Sequence, residues 1–398
     1  MANFQPQWSD KPIIKPRSPV DSEAKFSFAK DAPRETFGTL KKSIPPSKPY
    51  TSLTDQEAEH FLAHGWLKVE GGFDRNYIDQ WLPDFWVRTG YDEQDKTTWE
   101  EEYLHVAHHR QVRNEEFCPK AWGKIVDLCG GEERIHETRE RWVGDNFIVN
   151  FGSEARSKED PASHPPQDKP SFHSDNDWYR SFLDSSSTAM TIVHCFTDIP
   201  KNGGGTWLCE DAMKGVCEKL YAHPEGLDPV IDTPVLCKHA KDCHNFAAVE
   251  AKAGDTFILH GLLPHTNSFN YKHYARVITN PHVTLKEPYN LNRGTGDGDY
   301  SLLEQVILRA LGRTSIPEYH PTRPRMFWYP RNSAFKLNKV DSELARLKAD
   351  RANRLLPETT IDSVYLQGED AMNDFIKRNG YDLPFNKDLG LELQQHAA

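Results

Sequence analysis

From residue 142 onward the chain is broken up every few residues, and that punctuation limits its fold more than any other feature. The runs WVGDNFIVNFG, STAMTIVHCFTDI, GTWLCE, FAAVEA, DTFILH and YARVITNPHVTL are short and rich in β-branched or aromatic residues. Each is bounded by Gly, Pro, Asn or Asp. Segments of this kind form strands. Few regular helices separate them, which points to an antiparallel sandwich or jelly roll rather than a parallel sheet with crossover helices. The expected fold class is mainly β with flanking helices.

The flanks read as helix. Thr54 and Glu57 in TDQE have capping-box spacing, Ala58, Phe61 and Leu62 form an apolar stripe, Gly65 stops the helix and WLKV begins a strand. A second helix is expected over 75–87, with Tyr77, Ile78, Trp81 and Leu82 inward. The segment SLLEQVILRALGR carries Leu302, Leu303, Val306, Ile307, Ala310 and Leu311 on one face and ends at Gly312. The expected organisation is an extended Pro/Lys-rich arm over 1–50 and a main domain over 51–290. The domain contains an insertion at about 210–245 with one helix, and a helical extension follows over 291–398.

The net charge of −11 argues against a nonspecific nucleic-acid or anionic-membrane partner, both of which favour basic surfaces. No apolar run approaches membrane-spanning length, and seven scattered cysteines read as free thiols in a reducing compartment. A cytoplasmic protein is expected. The C-terminal helices read as packing elements, with a homodimer contact as the alternative.

The chemistry concentrates in FHSDND, residues 172–177. In a strand, side chains at i and i+2 share a face, so His173 and Asp175 project together. Asp177 would sit about 13 Å from His173 along an extended strand, too far to share one ion. His265, in HGLLPHTNS, can supply a third ligand. Two imidazoles and one carboxylate on one face of an octahedron leave open positions suited to iron(II) and oxygen chemistry. Arg276 lies eleven positions after His265 in a strand-like run, so its guanidinium is expected to point inward. Burying that charge is costly without an anion, and the fork of an arginine suits a carboxylate.

The order HSD, NGGGTW, HGLLPHTNS and R resembles the iron(II)- and 2-oxoglutarate-dependent dioxygenases, most of all the phytanoyl-CoA-hydroxylase-like family, over roughly 53–285. The resemblance implies a double-stranded β-helix in which His173, Asp175 and His265 bind iron. It implies that Arg276 grips the distal carboxylate of 2-oxoglutarate, with Asn267 assisting; Thr191, in TIVHCF with His194, is a separate candidate cosubstrate contact. O2 is then the oxidant, succinate and CO2 are released, and a C–H bond of a small molecule is hydroxylated, desaturated or closed into a ring. Retention of Asp175 favours these outcomes over halogenation. After the glycines this chain reads TWLCEDAM where the family has a PGSH-like turn, so substrate class does not transfer.

Trp178, Tyr179 and Arg180 follow the acid and are candidates for the substrate pocket, Arg180 suiting a carboxylate-bearing substrate; a solvated lid is the alternative. His260 competes with His265, and His194 reads as a packed core residue. Cys237, His239, Cys243 and His244 lack the spacing of structural zinc. Gly203–Gly205 lack a following P-loop Lys-Ser/Thr and read as a turn. An inactive cupin-like binding protein and a zinc hydrolase are the competing functions; the latter gives Arg276 no role.

Overall fold

In the computed structural model, which describes residues 46–229, 236–328 and 338–383, helix α1 (Asp55–His64) begins and ends on local chemistry. The Thr54 hydroxyl accepts from the Glu57 amide, the Glu57 carboxylate accepts from the Thr54 amide, and Gly65 closes the helix at φ 74°. The expected arm lies outside the described residues apart from 46–50, as do 230–235 of the insertion and parts of the C-terminal extension.

Helix α2 (Asn76–Thr89) follows strand β1 (Trp66–Val69). Its buried face is Trp81, Asp84, Phe85 and Arg88, whereas Tyr77, Ile78 and Leu82 are half-buried at the rim. The inward stripe is thus rotated from the expected one, because part of this helix faces charged partners rather than apolar ones. Strands β2 (Tyr103–His105) and β3 (Gln111–Arg113) and helix α3 (Pro119–Cys129) were not expected from the sequence. The two strands are three residues each, too short for alternation to show.

The remaining strands are β4 (Trp142–Gly144), β5 (Ile148–Asn150), β6 (Met190–Cys195), β7 (Thr206–Cys209), β8 (Phe246–Ala248), β9 (Thr256–His260), β10 (His265–Asn267), β11 (Arg276–Thr279) and β12 (His282–Val283). All pair antiparallel. The large sheet runs β1-β9-β6-β11-β5-β2 with β12 also on β6; the small one runs β10-β7-β8; β3 and β4 form a ribbon. Val193, Phe257, Leu259 and Ile278 of the large sheet share a buried cluster with Leu208 of β7 and nearby Val249, so the two sheets face each other as in a jelly roll.

The opposite face of the large sheet carries Ile192, Val277, Val149 and Ile258, packed with Phe61, Trp81 and Phe85 of the helices. Both faces are therefore buried, which explains why TIVHCF and TFILH read as continuous apolar runs. Helix α4 (Met213–Ala222) occupies the insertion, and α5 (Leu302–Ala310) begins on a Ser301–Glu304 capping box and is buried almost all round. Helix α6 (Val340–Asn353) lies on α2, and α7 (Glu369–Arg378) completes the described tail.

The α2–α6 contact is ionic. Arg88, 0% exposed, donates to Glu343 (2.7 Å), Asp145 (2.8 Å) and the Ala107 carbonyl. Arg110 joins Asp145 to Asp84, and Arg351 closes on Asp84 from α6. His109 bridges Glu343 and Ser363. Among the described residues no helix is long and apolar enough to cross a membrane, and all seven cysteines are free and buried.

Candidate metal centre

His173 is held at the edge of the small sheet by a pair of backbone hydrogen bonds with His265, 3.0 and 2.9 Å. This is a single bridge rather than the expected strand end, and the chain bends at Asp175. The bend still brings the acid back between the rings. His173 Nε2 lies 3.5 Å from Asp175 Oδ1, and His265 Nε2 lies 3.5 Å from Asp175 Oδ2. The two imidazole centroids are 4.7 Å apart. One ligand atom from each of the three residues falls within 4.8 Å of the others.

The far side of each ring fixes its tautomer. His173 Nδ1 is 2.8 Å from the Ser171 carbonyl and His265 Nδ1 is 3.0 Å from the Leu263 carbonyl. A carbonyl only accepts, so each Nδ1 donates its proton there and each Nε2 is turned toward the acid, the atom a cation would take. Two lone pairs and a carboxylate that converge at more than hydrogen-bond distance suit one cation at their centre.

Asp175 is supported from behind. Thr191 donates to its Oδ2 at 3.0 Å and His282 Nε2 lies 3.1 Å from the same oxygen. The β6–β12 register sets His282 opposite Thr191, and directly paired residues project to the same face. His282 Nδ1 is 3.5 Å from Glu140, a non-glycine residue at φ 49°. Burial alone would raise the Asp175 pKa, but His265, His173 and His282 outweigh it and hold the carboxyl well below its usual range. Burial opposes protonation of His173, yet Asp175 carries its pKa upward. The sequence did not single out His282; only a β6–β12 pairing would have signalled it.

Arg276 sits on β11 opposite Asn150 and is 1% exposed. Its Nε donates to the Gly204 carbonyl (2.6 Å) and its Nη1 to the Ile148 carbonyl (3.3 Å). None of the described carboxylates pairs with it. Burial pulls its pKa down to about 10, against weaker opposition from Tyr103, Cys195 and Tyr274. Gly204 makes the close approach feasible: at φ 75° it has no room for a Cβ, which would come within 2.7 Å of Asn270 and closer still to Asn150.

The triad and Arg276 line one cavity of about 620 Å³, together with Thr191, Asn267 and Ile278. Its outer wall comes from Arg139, Glu140 and Trp142, and from Lys377–Tyr381 and Leu383 of the tail. Trp178, Tyr179 and Arg180 do not line it. After the bend the chain runs to a separate cluster, where Trp178 and Tyr179 pack with Phe327 and only the Trp178 ring backs His282, at 5.1 Å. Arg180 is buried against Asp228 (2.6 Å) and the Pro324 carbonyl, so it is already neutralised inside the protein.

His260 is a core residue between the Leu303 carbonyl and the Leu262 amide, with burial bringing its pKa to about 4. His194 bonds Thr256 among Phe73 and Phe117, and burial takes it to about 3. Cys237, His239, Cys243 and His244 do not converge. His239 is held by the Ala212 carbonyl and Lys219, while Cys243 comes near Cys209 and Asp211 instead.

No family model matches the chain, and no curated protein matches it. Solved structures are similar over part of it. The non-heme alpha ketoglutarate dependent carbocyclase SnoK from nogalamycin biosynthesis is 13% identical, with 62% of this chain and 89% of that one covered and a TM-score of 0.36. HygX from Streptomyces hygroscopicus, with nickel and 2-oxoglutarate bound, is 10% identical over 59% and 88%, TM-score 0.34. EctD from S. alaskensis, with 2-oxoglutarate and 5-hydroxyectoine, is 11% identical over 67% and 91%, TM-score 0.34.

Proposed function

We propose that this protein is an iron(II)- and 2-oxoglutarate-dependent oxygenase that oxidises a C–H bond of a small molecule, of the phytanoyl-CoA-hydroxylase-like type. One observation carries the reading: two imidazoles and a carboxylate converge in the same cavity as a buried arginine that no described carboxylate neutralises. The donor set fits iron(II), with Nε2 lone pairs fixed by carbonyls and an acid held ionised. Bound there, the metal supplies dioxygen activation coupled to oxidative decarboxylation of 2-oxoglutarate to succinate and CO2.

The chain's own residues supply orientation. Arg276 offers its guanidinium to the far carboxylate of 2-oxoglutarate, which compensates the buried charge. Thr191 and His282 hold Asp175 in the orientation that meets both rings. Ile278 and Val193 contribute apolar surface to the cavity lining. A zinc hydrolase with the same ligands leaves Arg276 without an anion.

The test is aerobic incubation with iron(II), 2-oxoglutarate and a metabolite library, following succinate. Release is expected for the native chain and loss to background for His173→Ala and Asp175→Ala. If His173→Ala releases succinate as the native chain does, the metal assignment is wrong. If the native chain retains neither iron nor 2-oxoglutarate, an inactive cupin-like binder is the better description.

A further inference from the structure

Arg139 lines the cavity from the loop before β4, and none of the described carboxylates forms an ion pair with it. Its Nε and Nη1 are shut off from solvent and meet no hydrogen-bond acceptor among the described residues. The guanidinium's one described partner is the ring of Phe327, 5.3 Å away. By contrast, Arg180 has Asp228 and Arg325 has Asp184. The loop is tied to the metal centre through the next residue, since Glu140 reaches His282, which reaches Asp175.

The charged groups around this end of the cavity are Arg139, Lys377 and Arg378 against Glu140 and Asp177. Glu140 is turned to His282, and Arg378 lies over Trp142 at 4.6 Å. Trp142, Tyr381 and Leu383 add apolar surface to the same cavity. A partly buried guanidinium with two occluded, unpaired nitrogens calls for an anion from the cavity it borders. We infer that Arg139 is the substrate-anion anchor: the substrate is an organic molecule with an aromatic or apolar body and an oxyanionic group, carboxylate or phosphate ester, seated at Arg139. This rests on the cavity being a substrate site, as proposed above, and it moves to Arg139 the role expected of Arg180.

The test is thermal unfolding, which does not need turnover. The probes are a panel of aromatic carboxylic acids, the matching aryl phosphate monoesters, and the methyl esters of the acids. Members of one anionic arm are expected to raise the melting temperature of the native chain, while the neutral esters do not. The arm that responds identifies the oxyanion.

In Arg139→Met that response weakens about tenfold or more, as for loss of a charge-assisted hydrogen bond. Without probe, Arg139→Met is expected to melt at or above the native temperature, because an uncompensated charge has been removed. Arg139→Lys keeps the charge without the fork and is expected to fall between the two. Arg276→Met is expected to lose succinate release yet keep the probe response, whereas a native chain that responds to the probe but releases no succinate would condemn the oxygenase reading alone. The anchor is overturned if Arg139→Met responds as the native chain does, if esters stabilise as well as acids, or if neither anionic arm shifts the native chain.

Discussion

Arg88 and Arg276 are equally buried, at 0% and 1% exposed, yet they sit in opposite environments. Arg88 is enclosed by Asp145 and Glu343, with Arg110, Asp84 and Arg351 extending the network from α2 to α6. Arg276 faces two backbone carbonyls and a cavity. A buried cation whose counter-ions belong to the chain serves the fold; one left open serves a ligand. The same side chain at the same depth can therefore be read as structural or functional from its partners alone.

The contrast can be broken most forcefully at Asp145. Asp145→Asn leaves Arg88 and Arg110 buried with half their compensation, and a loss of about 3–5 kcal/mol is expected in denaturant unfolding. Arg276→Met in the ligand-free protein is expected to change stability by less than about 1 kcal/mol in the same measurement. Equal losses at both sites would erase the distinction.

Acid should strike the same network. Asp145, Glu343 and His109 all have folded pKa values below their ordinary ones of 3.8, 4.5 and 6.5. For each, burial is the largest influence. It is outweighed by Arg88 and its neighbours at the two acids and reinforced by Arg88 at His109. The unfolded chain then binds more protons, so stability rises with pH. Expected is a plateau above about pH 6.5, a shallow fall as His109 becomes protonated on unfolding, and a steeper fall below about pH 4.5. Melting temperatures across pH would show it, and Glu343→Gln should flatten the acid limb.

At the cavity the expected effects are smaller in energy and confined to ligands. Arg276→Met should weaken 2-oxoglutarate binding by about 1.5–3 kcal/mol, tenfold or more, by calorimetry with manganese(II) in place of iron. Thr191→Val removes one hydrogen bond to Asp175 and should weaken metal binding by about 1 kcal/mol, with unfolding little changed.

Local order along the chain made much of this legible. The capping box at Thr54, the stop at Gly65 and the strands around Ile192 and Ile258 depend on neighbours within a few residues. His173, Asp175 and His265 were legible because the chemistry needs that combination, though the bend that unites them is not a strand. What sequence order hid is long-range pairing. Arg180 beside the acid invites a substrate role until Asp228, 48 residues on, claims it. His282 becomes Asp175's neighbour only when β12 docks on β6. Residues 377–383 fall only within an expected helical extension, and tertiary packing turns them into a cavity wall.

That last wall has a consequence for biosynthesis. All three side chains of the proposed metal site leave the ribosome more than a hundred residues before Lys377. A nascent polypeptide could thus gather its ion into a chamber still missing one side. If the proposed oxygenase function holds, closure by the late-emerging tail would delay the oxidising step until synthesis of that segment is over.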